Sequence, residues 1–348
     1  MTIPRYNPEK PNGPGYWQGE PNNAYHRNPA ISASKLSLYM ECPELFREYV
    51  IQGKPKPRTD AMRFGSLFHH KLLEPATFYE NYADAPTPLW RSKDDKAASV
   101  EALNKLLIDP LPAHECQRLA GLKKEDIEAE FAKHPGMEIA TPEDLEKASA
   151  MVASVRANPL ANWLLTGGTP EVTFRTGMLS ETTKNPHVPF DFALQCKCDW
   201  LNLDGNKEPH TTANDITIPA GAAYWADVKT IEDMSRWRTE FIQRGYYRTW
   251  TLYYRTIETV LGYMPIEHWF WIFVEKSSPF RTFVFRPTKA CWNRGVDEYS
   301  KGLQSLNQSL KTGRFDTVEQ GTLLEADIPD SSFPKYFAAW GDPFCPGV

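Results

Sequence analysis

The chain has 348 residues, 41% of them hydrophobic, and a formal net charge of −5 at neutral pH. No stretch approaches the roughly 20 uninterrupted apolar residues of a membrane helix, which argues against a membrane protein. The acidic balance also argues against a protein that coats nucleic acid by bulk electrostatics, although an enzyme with a local basic groove is still allowed. The polar N-terminus has no apolar signal-peptide run, so we expect a cytoplasmic location.

The cysteines do not indicate a disulfide framework or a zinc site. Of the six, only Cys196 and Cys198 are close in sequence. A C-x-C pair on a strand does not easily form a mutual disulfide, and no C-x-x-C pair is present. We therefore expect buried thiols in a reducing compartment.

The first half of the chain reads mainly as helices. Residues 1–30 are rich in Pro, Asn and Gly and predict a loosely ordered arm that docks on the body. ISASKLSLYMECPELFREYV predicts two short helices, the first capped by Ser32 or Ser34 and the second starting at Pro43. AMRFGSLFHHKLLEP has apolar residues at helical spacing, and short helices are predicted around 94–107 and 122–134.

The second half alternates strands and helices. A cap, a proline and acidic residues at Thr141-Pro142-Glu143 predict a helix start. Strands are predicted at PEVTFRTG, FALQCKCDWLNL and YWADVKTI, with 204–223 as a loop or ragged hairpin. Two helices, the strands IEHWFWIFVEKS and FRTFVFRPT, and a long helix over 288–312 follow. The expected class is α/β or α+β, with a central mixed β-sheet flanked by helices.

Acidic residues fall on three successive predicted strands. Glu171, Asp199 and Asp227 lie one on each strand, and Lys229 shares a face with Asp227 because side chains alternate along a strand. Each charge taken alone is more simply a solvated strand-end group or an exposed ion pair. If the strands are neighbours, however, the carboxylates converge on a hard, oxygen-rich site that suits Mg²⁺.

The ordered set GSLFHHKLLEP, PEVTFRTG, CKCDWLNL, ADVKT and GYYRTWTLYY resembles the PD-(D/E)XK nucleases. It is most similar to the RecE (exonuclease VIII) type of phages and prophages, which is related to lambda exonuclease. The resemblance covers residues 31–315, leaving 1–30 as the arm and 316–348 as a C-terminal tail. It implies a restriction-endonuclease-like core and a Mg²⁺ cofactor for which Mn²⁺ can substitute.

The resemblance also implies roles for individual residues. His69, Asp199, Asp227 and the main-chain carbonyl of Val228 would hold the metal, with Lys229 at the attacking water. Glu171 matches the early glutamate of the family. Cys198 stands where the family has the proline of its "PD" element.

The helix after D-x-K departs from the family pattern. Tyr253 fits the family's tyrosine, but Thr249 stands where a glutamine usually helps to position DNA and water. That substitution puts full activity in question.

Candidate DNA contacts lie in that region and near the first helix. Arginines are interleaved with aromatic residues there, and such arginines can bind phosphates while the aromatic rings stack on frayed bases. The alternative carries equal weight: the aromatic residues belong to the core and the arginines form a solvated surface. The helix N-terminus near Ser32 suggests a terminal phosphate site. The candidate residues are Arg236, Arg238, Arg244, Arg248, Thr249, Ser34 and Lys35.

The expected function is Mg²⁺-dependent exonuclease action on duplex DNA ends by metal-activated water. The resemblance implies 5′ to 3′ digestion in a bacterial host cell, for an annealing partner of the RecT type, in a ring-shaped homo-oligomer. The alternatives are a catalytically weak or inactive nuclease-fold binding module, and the same chemistry on another substrate, in a structure-specific endonuclease or an RNase.

Overall fold

The computed structural model describes residues 3–10, 13–54, 56–57, 59–78, 82–84, 92–104, 111–123, 125–127, 138–177 and 192–315. The strands are β1 Gly15–Gln18, β2 Tyr82–Asp84, β3 Glu138–Ala140, β4 Thr169–Arg175, β5 Gln195–Asn202, β6 His210–Thr211, β7 Thr217–Ile218, β8 Tyr224–Ile231, β9 His268–Glu275 and β10 Thr282–Phe285. Most of the predicted 122–134 helix and all of the tail at 316–348 lie outside the described residues.

The described helices include most of the predicted ones and two, at 22–27 and 113–120, that were not predicted. They are α1 Asn22–Arg27, α2 Ala33–Glu41, α3 Pro43–Phe46, α4 Asp60–Leu73, α5 Lys93–Asn104, α6 Ala113–Ala120, α7 Pro142–Ala157, α8 Pro159–Leu164, α9 Trp237–Gln243, α10 Tyr246–Leu261 and α11 Lys289–Thr312. A π-helical turn, Arg47–Ile51, follows α3, and a 3₁₀ turn, Met234–Arg236, precedes α9. No helix in the described ranges has the length and apolarity needed to cross a bilayer.

Local signals explain where several helices begin. The Ser32 side chain accepts a hydrogen bond from the N–H of Lys35, which caps α2 as predicted. Thr141 caps α7 in the same way, with Pro142 at the first helical position. The predicted helix after Thr141 is divided by Asn158, which ends α7 and caps α8.

A mixed six-stranded sheet forms the centre, in the order β1-β4-β5-β8-β9-β10. Within this sheet only β8 and β9 pair in parallel, and α9 and α10 supply the crossover that a parallel pair requires. The central strands are buried on both faces. Trp225 and Trp271 pack in one core, while Val228 and Ile272 pack in the other.

The N-terminal segment differs from the predicted loosely ordered arm. Its strand β1 pairs antiparallel with β4, from Gly15 opposite Arg175 to Gln18 opposite Val172. Glu20 and Arg175 form an ion pair at 2.8 Å with both side chains 1% exposed. A buried ion pair of this kind requires a fixed partner, so this segment is an integral edge of the sheet.

Of the two predicted alternatives for the long connection between β5 and β8, a loop or a hairpin, the structure shows the hairpin. Strands β6 and β7 pair, and Ile218 is buried in the core beneath. The ends of the connection meet at Gly205, where a Cβ would lie 2.3 Å from the carbonyl carbon of Gly221. Gly205 also has a φ of +66°, which residues with a side chain rarely adopt. Both the close contact with Gly221 and this backbone conformation therefore require glycine at position 205.

Candidate active site

Glu171, Asp199 and Asp227 form one row across three neighbouring strands. Glu171 and Asp199 face each other between the registered pairs Pro170–Trp200 and Val172–Cys198. These three strands are neighbours in the sheet, which was the condition for the carboxylates to converge. The row crosses the middle of the sheet, and Asp199 lies inside β5 rather than at its end.

The row sits where β5 and β8 separate. Their registered pairing ends at Trp200 opposite Ala226, one residue short of Asp199 and Asp227. The N–H of Val228 donates instead to Asp199 Oδ2 at 2.9 Å. The Asp199 carboxylate thus takes the place of the main-chain carbonyl that would accept this hydrogen bond in a regular sheet. It satisfies the buried N–H of Val228, and the hydrogen bond fixes the orientation of Asp199.

Glu171 holds its position in an unusual backbone conformation. Its φ of +52° lies in the left-handed region, which non-glycine residues seldom adopt. Strain of this kind persists only where the surroundings enforce it, and it concentrates at functional sites.

Helix α4 brings His69 to the row from outside the sheet. Phe68 is fully buried against β8, which fixes the helix and places its neighbour His69 at the carboxylates. His69 Nδ1 lies 3.6 Å from Asp199 Oδ2. His70 points elsewhere, toward Thr77 Oγ1 at 3.1 Å.

Three of these residues satisfy the spacing of a metal site. One ligand atom each from His69, Glu171 and Asp199 lies within 4.8 Å of the other two. The donors are two carboxylates and an imidazole from three separate elements, a set that suits a hard divalent cation with waters in its remaining positions. These residues therefore fit the cation that the sequence predicts.

Lys229 lies among the other predicted ligands. Its Nζ is 2.6 Å from Asp227 Oδ2, 3.3 Å from Asp199 Oδ2 and 3.2 Å from the carbonyl oxygen of Val228. Neither Asp227 oxygen accepts a hydrogen bond of good geometry, although the side chain is only 1% exposed. The structure thus places Asp227 and the Val228 carbonyl around the ammonium, beside the group formed by His69, Glu171 and Asp199.

Burial and mutual charge set the ionisation of the site. Burial lowers the pKa of His69 and favours the neutral imidazole that can bind a cation. Burial would also lower the pKa of Lys229, but Asp199 and Asp227 raise it well above its usual value. Burial raises the pKa of Asp227 to about 7, against the opposing effect of Lys229.

Asp199 and Glu171 respond in opposite directions. Burial would raise the pKa of Asp199, yet Lys229, His69 and the Val228 N–H together hold it below its usual value. For Glu171 the effect of burial prevails and raises the pKa, even though a second lysine, Lys197, opposes it. Asp199 is thus the carboxylate most firmly held as an anion.

Sequence reasoning did not single out Lys197, which belongs to the site. This β5 residue lies two positions before Asp199, and its Nζ is 3.0 Å from Glu171 Oε2. The K-x-D spacing along a predicted strand was the available signal, since residues two apart share a face. Tyr253, which the resemblance to the nuclease family made a candidate catalytic residue, donates its hydroxyl hydrogen to the Lys197 carbonyl at 2.9 Å and so contacts the strand rather than the acidic row.

The predicted DNA contacts fall into two groups. Arg236, Arg238 and Arg244 are exposed on the turn and helix that follow β8. Arg248 is 14% exposed and pairs with Glu298 at 2.8 Å, which ties it to α11. Thr249 lies one residue further along α10 and is half-buried.

The predicted phosphate site near the start of α2 has different partners. The ammonium of Lys35 donates to the carbonyls of Asn28 and Ala30, the second at 3.1 Å. Ser34 is exposed, with its Oγ 3.1 Å from that of Ser32. Lys35 is therefore engaged in holding the chain before α2.

The described cysteines fit the expectation of buried thiols only in part. All five are free thiols, of which Cys196 and Cys198 are buried and Cys42, Cys116 and Cys291 are partly exposed.

No protein-family model matches the sequence, and no curated protein matches it significantly. A crystal structure from Eubacterium rectale, named "Putative exonuclease", is similar with a TM-score of 0.47 and 9% identity, over 88% of this chain and 93% of that chain. Likeness at that level assigns no activity. The chain is a mixed α/β protein with a helix-flanked central sheet, and its function has to be argued from the site.

Proposed function

We propose that this protein is a divalent-metal-dependent nuclease that hydrolyses DNA phosphodiester bonds. The observation that carries the proposal is the convergence of His69, Glu171 and Asp199 within 4.8 Å, with the ammonium of Lys229 3.3 Å from Asp199. A cation site beside a fixed positive charge can accommodate both the nucleophile and the charged phosphate of a phosphodiester.

The residues divide into a binding group and a polarising group. His69, Glu171 and Asp199 would hold Mg²⁺ or Mn²⁺, which when bound polarises a phosphate and lowers the pKa of water. Lys229 orients the attacking water and stabilises the charge that develops on the phosphate oxygens. Asp227 holds the Lys229 ammonium in place from the buried side, at 2.6 Å.

The finer proposal is exonuclease action at duplex ends, 5′ to 3′, as the resemblance to RecE-type nucleases implies. The exposed Arg236, Arg238 and Arg244 follow directly after β8 and supply positive charge for phosphates near the site. An annealing partner of the RecT type, a ring-shaped homo-oligomer and a cytoplasmic location in a bacterial host belong to the same proposal.

Digestion of labelled DNA tests the proposal. Linear duplexes carrying a label at either the 5′ or the 3′ ends, and closed circular duplex, are incubated with the protein and Mg²⁺. We expect early release of the 5′ label as short products and no cleavage of the circle. Cleavage of the circle would instead identify an endonuclease, and no cleavage of any substrate would leave a nuclease-fold binding module.

The binding-module alternative depends on one specific feature, Thr249 at the usual glutamine position. If Thr249 leaves DNA poorly positioned, the protein would bind Mg²⁺ and duplex ends yet release nucleotides slowly. Thr249→Gln would then increase the rate of label release, whereas it would leave the rate of a fully active nuclease unchanged.

A further inference from the structure

Lys197 has all its hydrogen-bonding capacity used by fixed partners. Besides Glu171, its Nζ donates to the Glu20 carbonyl at 2.9 Å and to Asn22 Oδ1 at 2.7 Å. A lysine ammonium has three N–H donors, so three acceptors at these distances saturate it. Lys197 therefore cannot move away from Glu171 without breaking contacts with the N-terminal segment.

The acceptors from the N-terminal segment are themselves locked in place. Glu20 forms the fully buried pair with Arg175, whose guanidinium also donates to Gln195 Oε1 at 3.0 and 2.9 Å. Gln195 in turn donates its side-chain N–H to the Tyr25 carbonyl at 3.0 Å. The Lys197 charge is thus held by Glu20, which lies between β1 and α1, together with residues of α1, β4 and β5.

Charge balance shows what this fixed cation does at the site. A bound cation favours the ionised forms of Glu171 and Asp227, so that with Asp199 the three carboxylates then carry three negative charges, against two positive charges on Lys197 and Lys229. One divalent cation leaves a single positive charge, which a phosphodiester neutralises. A second divalent cation would leave two further positive charges uncompensated in a largely buried site, which is unfavourable.

We propose that Lys197 is a positioning residue that holds Glu171 through the N-terminal segment and takes the place of a second metal ion. The site then binds one divalent cation per chain. This inference depends on the proposed metal site, but its test can be read from metal binding alone.

Titration of the full-length protein with Mn²⁺, followed by calorimetry, tests the inference. The wild type should bind one ion per site. Lys197→Met removes the positive charge at similar length, so we expect at least about tenfold tighter Mn²⁺ binding or a second bound ion. Lys197→Arg retains the charge and should stay within about threefold of the wild type.

Tighter Mn²⁺ binding by Lys197→Met distinguishes this role from a merely structural one. If Lys197 only supported the fold, its replacement would loosen the site and weaken Mn²⁺ binding. Lys276→Met is the matched control, since Lys276 is another buried lysine, paired with Glu232 at 2.6 Å. Its Mn²⁺ affinity should be unchanged. Unchanged or weaker binding by folded Lys197→Met would overturn the inference.

Asn22→Ala covers the case in which Lys197→Met does not fold. Asn22 is exposed, so its truncation should leave folding intact while removing one acceptor of the ammonium. Lys197 would then compete more strongly for the carboxylates, and Mn²⁺ binding should weaken by about threefold. Unchanged binding would show that the N-terminal segment does not position Lys197.

The two proposals can fail separately. Mn²⁺ binding without DNA digestion by the wild type would overturn the nuclease proposal and leave the role of Lys197 intact. Digestion by the wild type, together with unchanged Mn²⁺ binding by Lys197→Met, would overturn the role of Lys197 alone. Absence of Mn²⁺ binding by the wild type would overturn both.

Discussion

Individual charges in this protein are held by partners that the fold brings from distant parts of the chain. Outside the site, Glu275 at the end of β9 is held by one residue distant in sequence, Met234, and by one close in sequence, Arg281. Its carboxylate accepts two hydrogen bonds from Arg281, both at 2.7 Å, and one from the N–H of Met234 at 3.0 Å. The hydrogen bonds from Arg281 are the main reason that its pKa falls to about 2.

Glu275 should therefore make stability depend on pH. Because its folded pKa is lower than its unfolded value of 4.5, its contribution is present above pH 4.5 and lost as the pH falls through about 2. We expect Glu275→Gln to lower the free energy of unfolding by about 1 to 2 kcal/mol at pH 7. The difference from the wild type should shrink from pH 4.5 downward, as measured by urea unfolding.

Asp297→Asn is the control for this prediction. Asp297 pairs with Lys301 at 2.8 Å on the surface, with both side chains more than half exposed. Exposed pairs of this kind contribute little, so its effect should stay below about 0.5 kcal/mol at every pH. A loss of stability in Glu275→Gln that persists unchanged down to pH 2 would contradict the assignment to charge.

Most of the acidic row could be predicted from the residues. Carboxylates on three successive strands converge if the strands are neighbours, which is how Glu171, Asp199 and Asp227 came to be grouped. The contact of Lys197 could not be predicted, because its partners include the main-chain carbonyl of Glu20, more than 170 positions away. No local pattern encodes a contact of that separation.

Among the elements, the crossing of α10 and α11 depends on a glycine. A Cβ on Gly295 would lie 2.5 Å from Thr251 Oγ1 and 2.6 Å from the carbonyl oxygen of Tyr247. The second atom belongs to the backbone of α10 and cannot move without displacing the helix. Gly295 therefore sets how closely α11 approaches the helix that carries Tyr253.

Gly295→Ala should destabilise the protein by about 1 to 3 kcal/mol, because the added methyl group overpacks this crossing. Gly302→Ala on the same helix is the matched control. Its Cβ would meet the Sδ of Met40 at 2.7 Å, and a flexible methionine can move aside. Thermal unfolding should thus show a clearly lower melting temperature for Gly295→Ala only, and equal melting temperatures would contradict the close packing.

Elements with strong local signals were predicted well, and one without them was not. Caps and prolines located α2, α3 and α7, whereas β1 is four residues long in a stretch rich in Pro and Gly. Its identity as an edge strand comes from pairing with β4, a partner more than 150 positions away. Pairing over such a distance is decided by the tertiary fold and not by local propensity.

In the molecule as a whole, the sheet joins the proposed metal site to the N-terminal segment. The strand order places β4 and β5 between β1 and β8. Strand β4 carries both Arg175, the partner of the buried Glu20, and Glu171 of the acidic row. Composition and helix spacing predicted the class of fold. The closeness of the N-terminal segment to the proposed metal site follows instead from the order of the strands.

We propose that His69, Glu171 and Asp199 hold a divalent metal ion with which the protein hydrolyses DNA. The most direct measurement is the rate of nucleotide release from linear duplex DNA by the wild type and by Asp199→Asn, each with Mg²⁺ and with a chelator. We expect release by the wild type only with Mg²⁺, and a loss of at least about a hundredfold in Asp199→Asn. Asp297→Asn should digest like the wild type, whereas equal rates for Asp199→Asn and the wild type, or digestion in the chelator, would contradict the account.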